Sequence, residues 1–321
     1  MSDDALLEKA LIEADPARTP RDALPDAAAR QARDRIIRTA ATPHPRRRTA
    51  LTWASGLAVA AVAAVVAVVV TIPQGAAVAD TPQPLDFADA GSVASTVDAA
   101  RDALIDGSGP ESPERLVTTA SWTFSLDDAK ITPQLSILSW QPDLSGTVLT
   151  FDGVPYDPAD AEANQVEVVS GGEVTSELVM EPGDFNTPVP DPPGDSRDDV
   201  LAMLRAFGMP ERPSAFEVAA AVGAAVDQWT LTDAQHSEML RLLGASDGVS
   251  ALGTATDRLG RAVEGLRVIS PDGAVSEVIL LSADTGRIVG SERTALVANG
   301  VVPAGAITGY RMWDVDEAAI R

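Results

Sequence analysis

Apolar and polar positions divide this chain into three unlike parts. Between Leu51 and Ile72 the run LTWASGLAVAAVAAVVAVVVTI carries no charge, no proline and one glycine. A helix of that length reaches about 33 Å, enough to cross a hydrocarbon layer about 30 Å thick. Buried helices of soluble domains seldom run so long without a polar face, and in lipid a helix satisfies its own backbone. The run therefore predicts a transmembrane helix within 49–73.

Residues 1–48 show only narrow apolar stripes. SDDALLEKALIE (2–13) has the Ser2 N-cap and acidic start of a short helix, with Leu7, Ala10 and Leu11 in line. The prolines of DPARTPRD break it, and a second helix opens at Pro25-Asp26 and runs to about Thr39, with Ile36 and Ile37 near its end. These stripes are too thin for an independent core, so Leu7, Ala10, Leu11, Ile36 and Ile37 read as positions that fold onto a partner.

After the run, residues 74–91 are small, acidic and proline-bearing, the composition of a stalk. The remainder, 92–321, alternates helix and strand periods. Ser92 caps a helix that sets Val93, Val97, Ala100 and Leu104 on one face. A strand-rich part (116–186) follows, with strands at 116–126, 131–140 and 146–151; the second slips its alternation between Ile137 and Leu138. Strands at 165–169 and 174–180 flank Gly171-Gly172, a hairpin signal. Past the proline-rich connector 187–196, three helices starting at Ser196, Ser214 and Thr232 fill 196–244. Thr232 and Gln235 form a capping box, and Gly244 suits the C′ position.

Five strands then occupy 249–256, 261–270, 274–282, 287–298 and 305–315. Their short turns force antiparallel neighbours, hence a meander over 249–315 whose open face the preceding helices are placed to cover. The fold class expected is α+β: a single transmembrane helix followed by an extracytoplasmic domain with an antiparallel meander sheet covered by helices.

Charge orients this arrangement. Arg46, Arg47 and Arg48 abut the apolar run, whereas the first basic residue beyond it is Arg101. That asymmetry predicts a cytoplasmic N-terminus and an extracytoplasmic C-terminal domain in the cell membrane. A cleaved signal peptide is the rival, with Ala77-Val78-Ala79 as its site, but the apolar core exceeds the 7–15 residues usual for a signal. Residues 1–48 sum to +2 and the remainder to −25, within the net −23, which argues against nucleic acid as a partner of the outer part. With no cysteine, the outer domain is stabilised by its core alone.

Candidate chemistry is sparse. The two histidines, His44 among prolines and arginines and His236 at a polar position on a helix, cannot make a zinc site without other ligands, and no serine stands in a nucleophile-elbow motif. Asp157, Asp160 and Glu162 lack calcium-loop spacing. Trp122, Trp140, Trp229 and Trp313 fall on separate elements and read as core. No catalytic, cofactor or metal site is expected, and the chain reads as a non-enzyme.

DPARTP ahead of an arginine-flanked single helix resembles a family of actinobacterial single-pass membrane proteins, most of them uncharacterised. The likeness continues in Trp229, Leu240–Gly244, Asp257-Arg258-Leu259-Gly260-Arg261-Ala262-Val263 and Asp284-Thr285-Gly286-Arg287-Ile288. Such proteins are often encoded beside extracytoplasmic-function sigma factors, so the resemblance implies an anti-sigma-like role in which residues 1–48 hold a sigma factor. The zinc-binding signature H-x-x-x-C-x-x-C of anti-sigma factors is absent. The element order is also similar to the half-barrel of lipoprotein carriers and of periplasmic anti-sigma regulators. That likeness implies an alternative: a membrane-tethered module binding an apolar ligand or lipid, with no sigma partner.

Overall fold

A computed structural model describes residues 81–315, apart from 83, 108, 126–129, 158–173, 300 and 301. The apolar run, the stripe residues Leu7, Ala10, Leu11, Ile36 and Ile37, and Arg46, Arg47 and Arg48 lie outside the described residues. So do the 165–169 strand and its Gly171-Gly172 turn. Among the described residues no helix is long and apolar enough to cross a membrane.

The described part is α+β. Helix α1 (Val93–Ala103) and a 3-10 turn (Leu104–Asp106) precede strands β1 (Leu116–Ser125), β2 (Lys130–Trp140), β3 (Gly146–Asp152) and β4 (Val174–Met180). Helices α2 (Arg197–Ala206), α3 (Ala215–Val226) and α4 (Asp233–Gly244) follow. Strands β5 (Ser250–Thr256), β6 (Ala262–Ile269), β7 (Val275–Ser282), β8 (Ile288–Ala295) and β9 (Ile307–Met312) complete it. Each helix begins where its cap residue predicts. Ser92, Ser196, Ser214 and Thr232 are extended at N-cap, and each side chain accepts an N–H of the first turn.

One helix end corrects the expectation. Gly244 is not at C′ but is the last residue of α4, and Ala245 caps in the right-handed region. Its role is close approach: a Cβ there would lie 3.2 Å from both methyls of Val97 on α1.

The expected meander β5–β9 is present, and it is half of a larger sheet. All nine described strands form one antiparallel sheet in the order β4-β3-β2-β1-β9-β8-β7-β6-β5. The two meanders meet at β1 and β9, whose pairing consists of Ala120 opposite Met312 alone. The helices cover one face, as expected, packing Leu204, Val222, Met239 and Leu240 against Leu266, Ile279, Leu281 and Ile288. The second face is also buried: Ala120, Leu135, Val278, Leu280, Val289 and Met312 form a second core. Period-2 alternation explains the pair of cores, since β7 sends Ile279 and Leu281 one way and Val278 and Leu280 the other. The slip in β2 has the same meaning, because Leu135 joins the second core while Leu138 and Trp140 join the helix-side one.

Trp140, Trp229 and Trp313 are core residues. The Trp140 and Trp229 rings meet edge-on at 4.8 Å, and the Arg115 guanidinium lies 4.9 Å from the centre of each. Trp122 is half-buried, 6.4 Å from Tyr310.

Candidate functional site: a strap on the sheet and a cleft at its seam

Two features stand out from the packed core, and both depend on arginines of the turns. The first is the segment that enters the domain. Where a stalk is expected, Thr81, Leu85, Phe87 and Ala88 are tied to β9, β8, β6 and β5 in turn. Thr81 Oγ1 accepts the Ile307 N–H of β9 at 3.1 Å, and Leu85 N–H donates to Glu292 Oε1 of β8 at 3.2 Å. Phe87 lies on β6 at Gly265, where a Cβ would come within 2.5 Å of its ring. Ala88 exchanges backbone hydrogen bonds of 2.9 and 2.8 Å with Thr254 of β5. There Gly253, at φ 90°, is obligatory twice over, for its conformation and because a Cβ would strike the Ala88 carbonyl. The segment thus straps the second meander from β9 to β5.

The strap's anchor, Glu292, is buried and ion-paired with Arg258, also buried. The Arg258 guanidinium lies 4.7 Å from the centre of the Tyr310 ring. Burial pushes the Tyr310 hydroxyl well above its ordinary value, so the ring stays neutral beneath the cation. Asp257 in the same turn accepts the N–H groups of Leu259 and Arg261, both at 2.9 Å, and pairs with the Arg261 guanidinium. The Asp257–Val263 motif is therefore a built corner as well as a turn.

The second feature is a cleft where β1 and β9 part. β9 ends at Met312, and the Trp313 N–H donates to Val289 O at 2.7 Å, away from β1. Asp314 then adopts φ 53°, a left-handed conformation unusual for a residue with a side chain. Arg287 holds the Asp314 carboxylate at 2.7 Å, and Arg261 Nη1 donates to Trp313 O at 2.7 Å. On the opposite side β1 is held to the α3–α4 loop, with Thr230 Oγ1 donating to Leu116 O at 2.5 Å. Between them lies a partly open cavity of about 180 Å³. Val117, Val226, Trp229, Leu231, Ile288, Trp313 and Val315 supply most of its wall, with Thr118, His236 and Asp314 among its polar groups.

His236 corrects the sequence reading, which takes it as a polar position. It is 2% exposed, and its Nδ1 accepts the Ile288 N–H at 3.0 Å. Desolvation, reinforced by the Arg287 charge, holds its pKa well below 6.5, against a smaller opposing pull from Asp233. The ring is neutral, and since Nδ1 accepts, the proton sits on Nε2. The signal was in the spacing: His236, Met239, Leu240 and Leu243 share the apolar stripe of α4. Arg287 is satisfied separately, by Asp233 at 2.5 Å, by Asp314, and by Leu231 O at 3.0 Å.

Of the other candidate residues, His44, Asp160 and Glu162 lie outside the described residues. Among the described residues no group of three or more His, Asp or Glu is placed to hold a metal ion. No protein-family model, curated protein or solved structure matches the chain. Among the motif residues singled out in the sequence, the structure gives Asp257, Arg258, Arg261 and Arg287 bracing roles.

Proposed function

We propose that this chain is a single-pass membrane protein, N-terminus inside, whose outer domain senses a signal and whose residues 1–48 hold a sigma factor in the anti-sigma manner. The observation that carries this reading is the strap. Thr81 follows the end of the apolar run at Ile72 by only nine positions. Within that distance the chain is already hydrogen-bonded to the sheet, so a rearrangement of β5–β9 bears directly on the segment leaving the membrane. A module that merely needed tethering has no use for such coupling; a flexible linker suffices.

The alternative, a carrier of lipid or another long apolar ligand, finds less support. The second sheet face is filled by Leu85, Phe87 and the sheet's own side chains. The seam cavity of about 180 Å³ is also below the 300–1,000 Å³ of typical ligand pockets.

The test is co-purification of the full-length protein from native membranes. A sigma factor should accompany the wild-type chain and be lost when Leu7 and Leu11 are both replaced by Asp, with membrane insertion unchanged. Failure of the wild-type chain to retain any sigma factor would refute the transducer reading.

A further inference from the structure

Apolar side chains that face solvent gather at one end of the second meander. Ile269 closes β6, and Leu296 and Val297 follow β8; they are 46, 40 and 58% exposed. The β6–β7 turn and the start of the β8–β9 loop are fastened side by side, since Ser270 N–H donates to Val275 O and Leu296 N–H to Ala274 O, both at 2.8 Å. Hydrophobic residues scattered singly over a surface need no explanation, but these three share one end and an uncharged setting. No residue from Thr294 to Tyr310 is charged, in a chain whose net charge is −23. Asp272 is the one acid of the β6–β7 turn, and its carboxylate serves the turn itself. It accepts the Ser270 hydroxyl at 2.6 Å and the Ala274 N–H at 3.0 Å.

In the single-pass reading, the strap brings this end of the sheet to the bilayer. Thr81 joins the sheet here, where its Oγ1 accepts the Ile307 N–H at the head of β9. Ile307 stands opposite Thr294, two residues before Leu296. The apolar run ends at Ile72, nine positions ahead of Thr81. Nine residues of small-residue linker span about 15–18 Å on average and about 30 Å at full stretch. A bilayer-crossing helix that ends at Ile72 would therefore keep the β8–β9 loop within reach of the lipid surface. The β7–β8 turn lies a whole strand length further off.

We infer that Ile269, Leu296 and Val297 are a lipid-docking face, which seats this end of the domain in the interfacial layer of the membrane that holds the anchor. Three side chains are too few for a stable interface with a free protein, which takes about 800 Å² on each side. A tether lowers that requirement, because docking becomes an intramolecular step at high effective concentration. The membrane is the partner that the anchor itself supplies. The contact is apolar, with no basic residue between Thr294 and Tyr310 to seek anionic headgroups, so zwitterionic lipid suffices and salt has little effect. The strands that meet the lipid are then those that hold the strap, β8 through Glu292 and β9 through Ile307. The inference rests on the single-pass reading and is independent of any sigma partner.

The chain has no cysteine, so a single introduced one carries a label alone. Full-length Ala298→Cys, labelled with an environment-sensitive dye, is held in phosphatidylcholine nanodiscs with or without nitroxide-bearing lipid. Ala283→Cys, exposed on the β7–β8 turn at the opposite end, is its counterpart. The label at 298 should emit to the blue and be quenched by the nitroxide lipid, at low and high salt alike, and the label at 283 should do neither. Ile269→Ser and Leu296→Ser should each lower the docked-to-free ratio about fivefold, since about half of a side chain's transfer from water is at stake. Both side chains are exposed, so the melting temperature should hold and separate lost docking from lost folding. Equal quenching of the two labels, quenching of neither, or quenching that survives the double Ser variant would overturn the docking face. A blue-shifted label at 298 that nitroxide lipid fails to quench would overturn it too, and would show a protein surface such as a second copy on the patch. Alkaline washing that strips the full-length protein from native membranes would remove the single-pass reading and the docking face together. Retention through that wash with an unquenched label would leave the anchor standing and remove the docking face alone.

Discussion

Removing the Glu292 carboxylate should be among the most damaging single changes in the described domain, because it breaks a buried ion pair and unfastens the strap together. Arg258 and Glu292 are each about 4% exposed at the side chain, and Glu292 also accepts the Leu85 N–H. Taking away one partner of a buried pair costs about 3–5 kcal/mol, since the other charge stays out of water. The Leu85 hydrogen bond adds about 1 kcal/mol. Glu292→Leu should therefore lower unfolding stability by about 4 kcal/mol or more, read by urea titration of tryptophan fluorescence. Arg258→Met should cost a similar amount, part of it from the lost stacking on Tyr310. The double variant is the decisive arm. Replacing a buried pair by apolar side chains of similar volume is often nearly neutral, so it should cost at least about 2 kcal/mol less than the sum of the singles. Chymotrypsin should also cut the Glu292→Leu protein quickly after Leu85 or Phe87, and the wild type slowly. Strictly additive costs, or a Glu292→Leu penalty below about 1 kcal/mol with the strap still protected, would refute this account of the anchor.

Three further outcomes follow from other parts of the molecule. His236 titrates ordinarily near 6.5 and is held lower when folded. The unfolded chain thus binds a proton that the folded one refuses, so its contribution is complete above about pH 6.5 and is lost as the pH falls. Stability should decline with acid by up to about 1.4 kcal/mol per pH unit more than in His236→Asn, and parallel profiles would contradict the assignment. Gly253→Ala, at φ 90° and against the Ala88 carbonyl, should cost about 1–3 kcal/mol and expose the strap to protease, whereas an unchanged melting temperature would show that the strap is not seated there. A reporter active only outside the cytoplasm should be active when fused after Arg321 and silent when fused after Thr39; the reverse would sink the membrane topology.

The features legible in the sequence are those with local causes. Ser92, Ser214 and Thr232 mark helix starts because an N-cap and its N3 partner are three residues apart. The slip between Ile137 and Leu138 was visible as a break in period 2, though its meaning needed the two cores. What stayed hidden depends on partners far along the chain. Nothing near Ala120 announces that it will face Met312, and without that pair the two meanders read as separate pieces. Gly244 looked like a helix stop because glycine commonly is one, while its actual neighbour, Val97, lies on another helix. The strap was masked by composition: small, acidic and proline-bearing residues signal a linker. Only Leu85 and Phe87 stood out from that background as side chains with something to bury.

The strap and the seam engage the same strands, β8 and β9, and in the proposed transducer this is the route by which one would bear on the other. The cleft is bounded by Ile288 of β8 and by the turn that ends β9. The strap begins on β9 at Ile307 and takes its buried anchor from β8 at Glu292. Tyr310 of β9 lies under the Arg258 that holds that anchor, and Met312, two residues on, forms the lone pair with β1. A displacement of the Trp313–Asp314 turn would load this short piece of β9 first. Because β9 touches β1 at one residue pair and β8 at five, its movement would be guided by β8, the strand that grips the strap. The free energy available for such a shift is bounded by the differential interaction of whatever drives it with the two arrangements, so a weak signal can bias the strap only if its anchors are close to balance. The buried pair at Glu292 is suited to that condition, since desolvation offsets much of its own attraction.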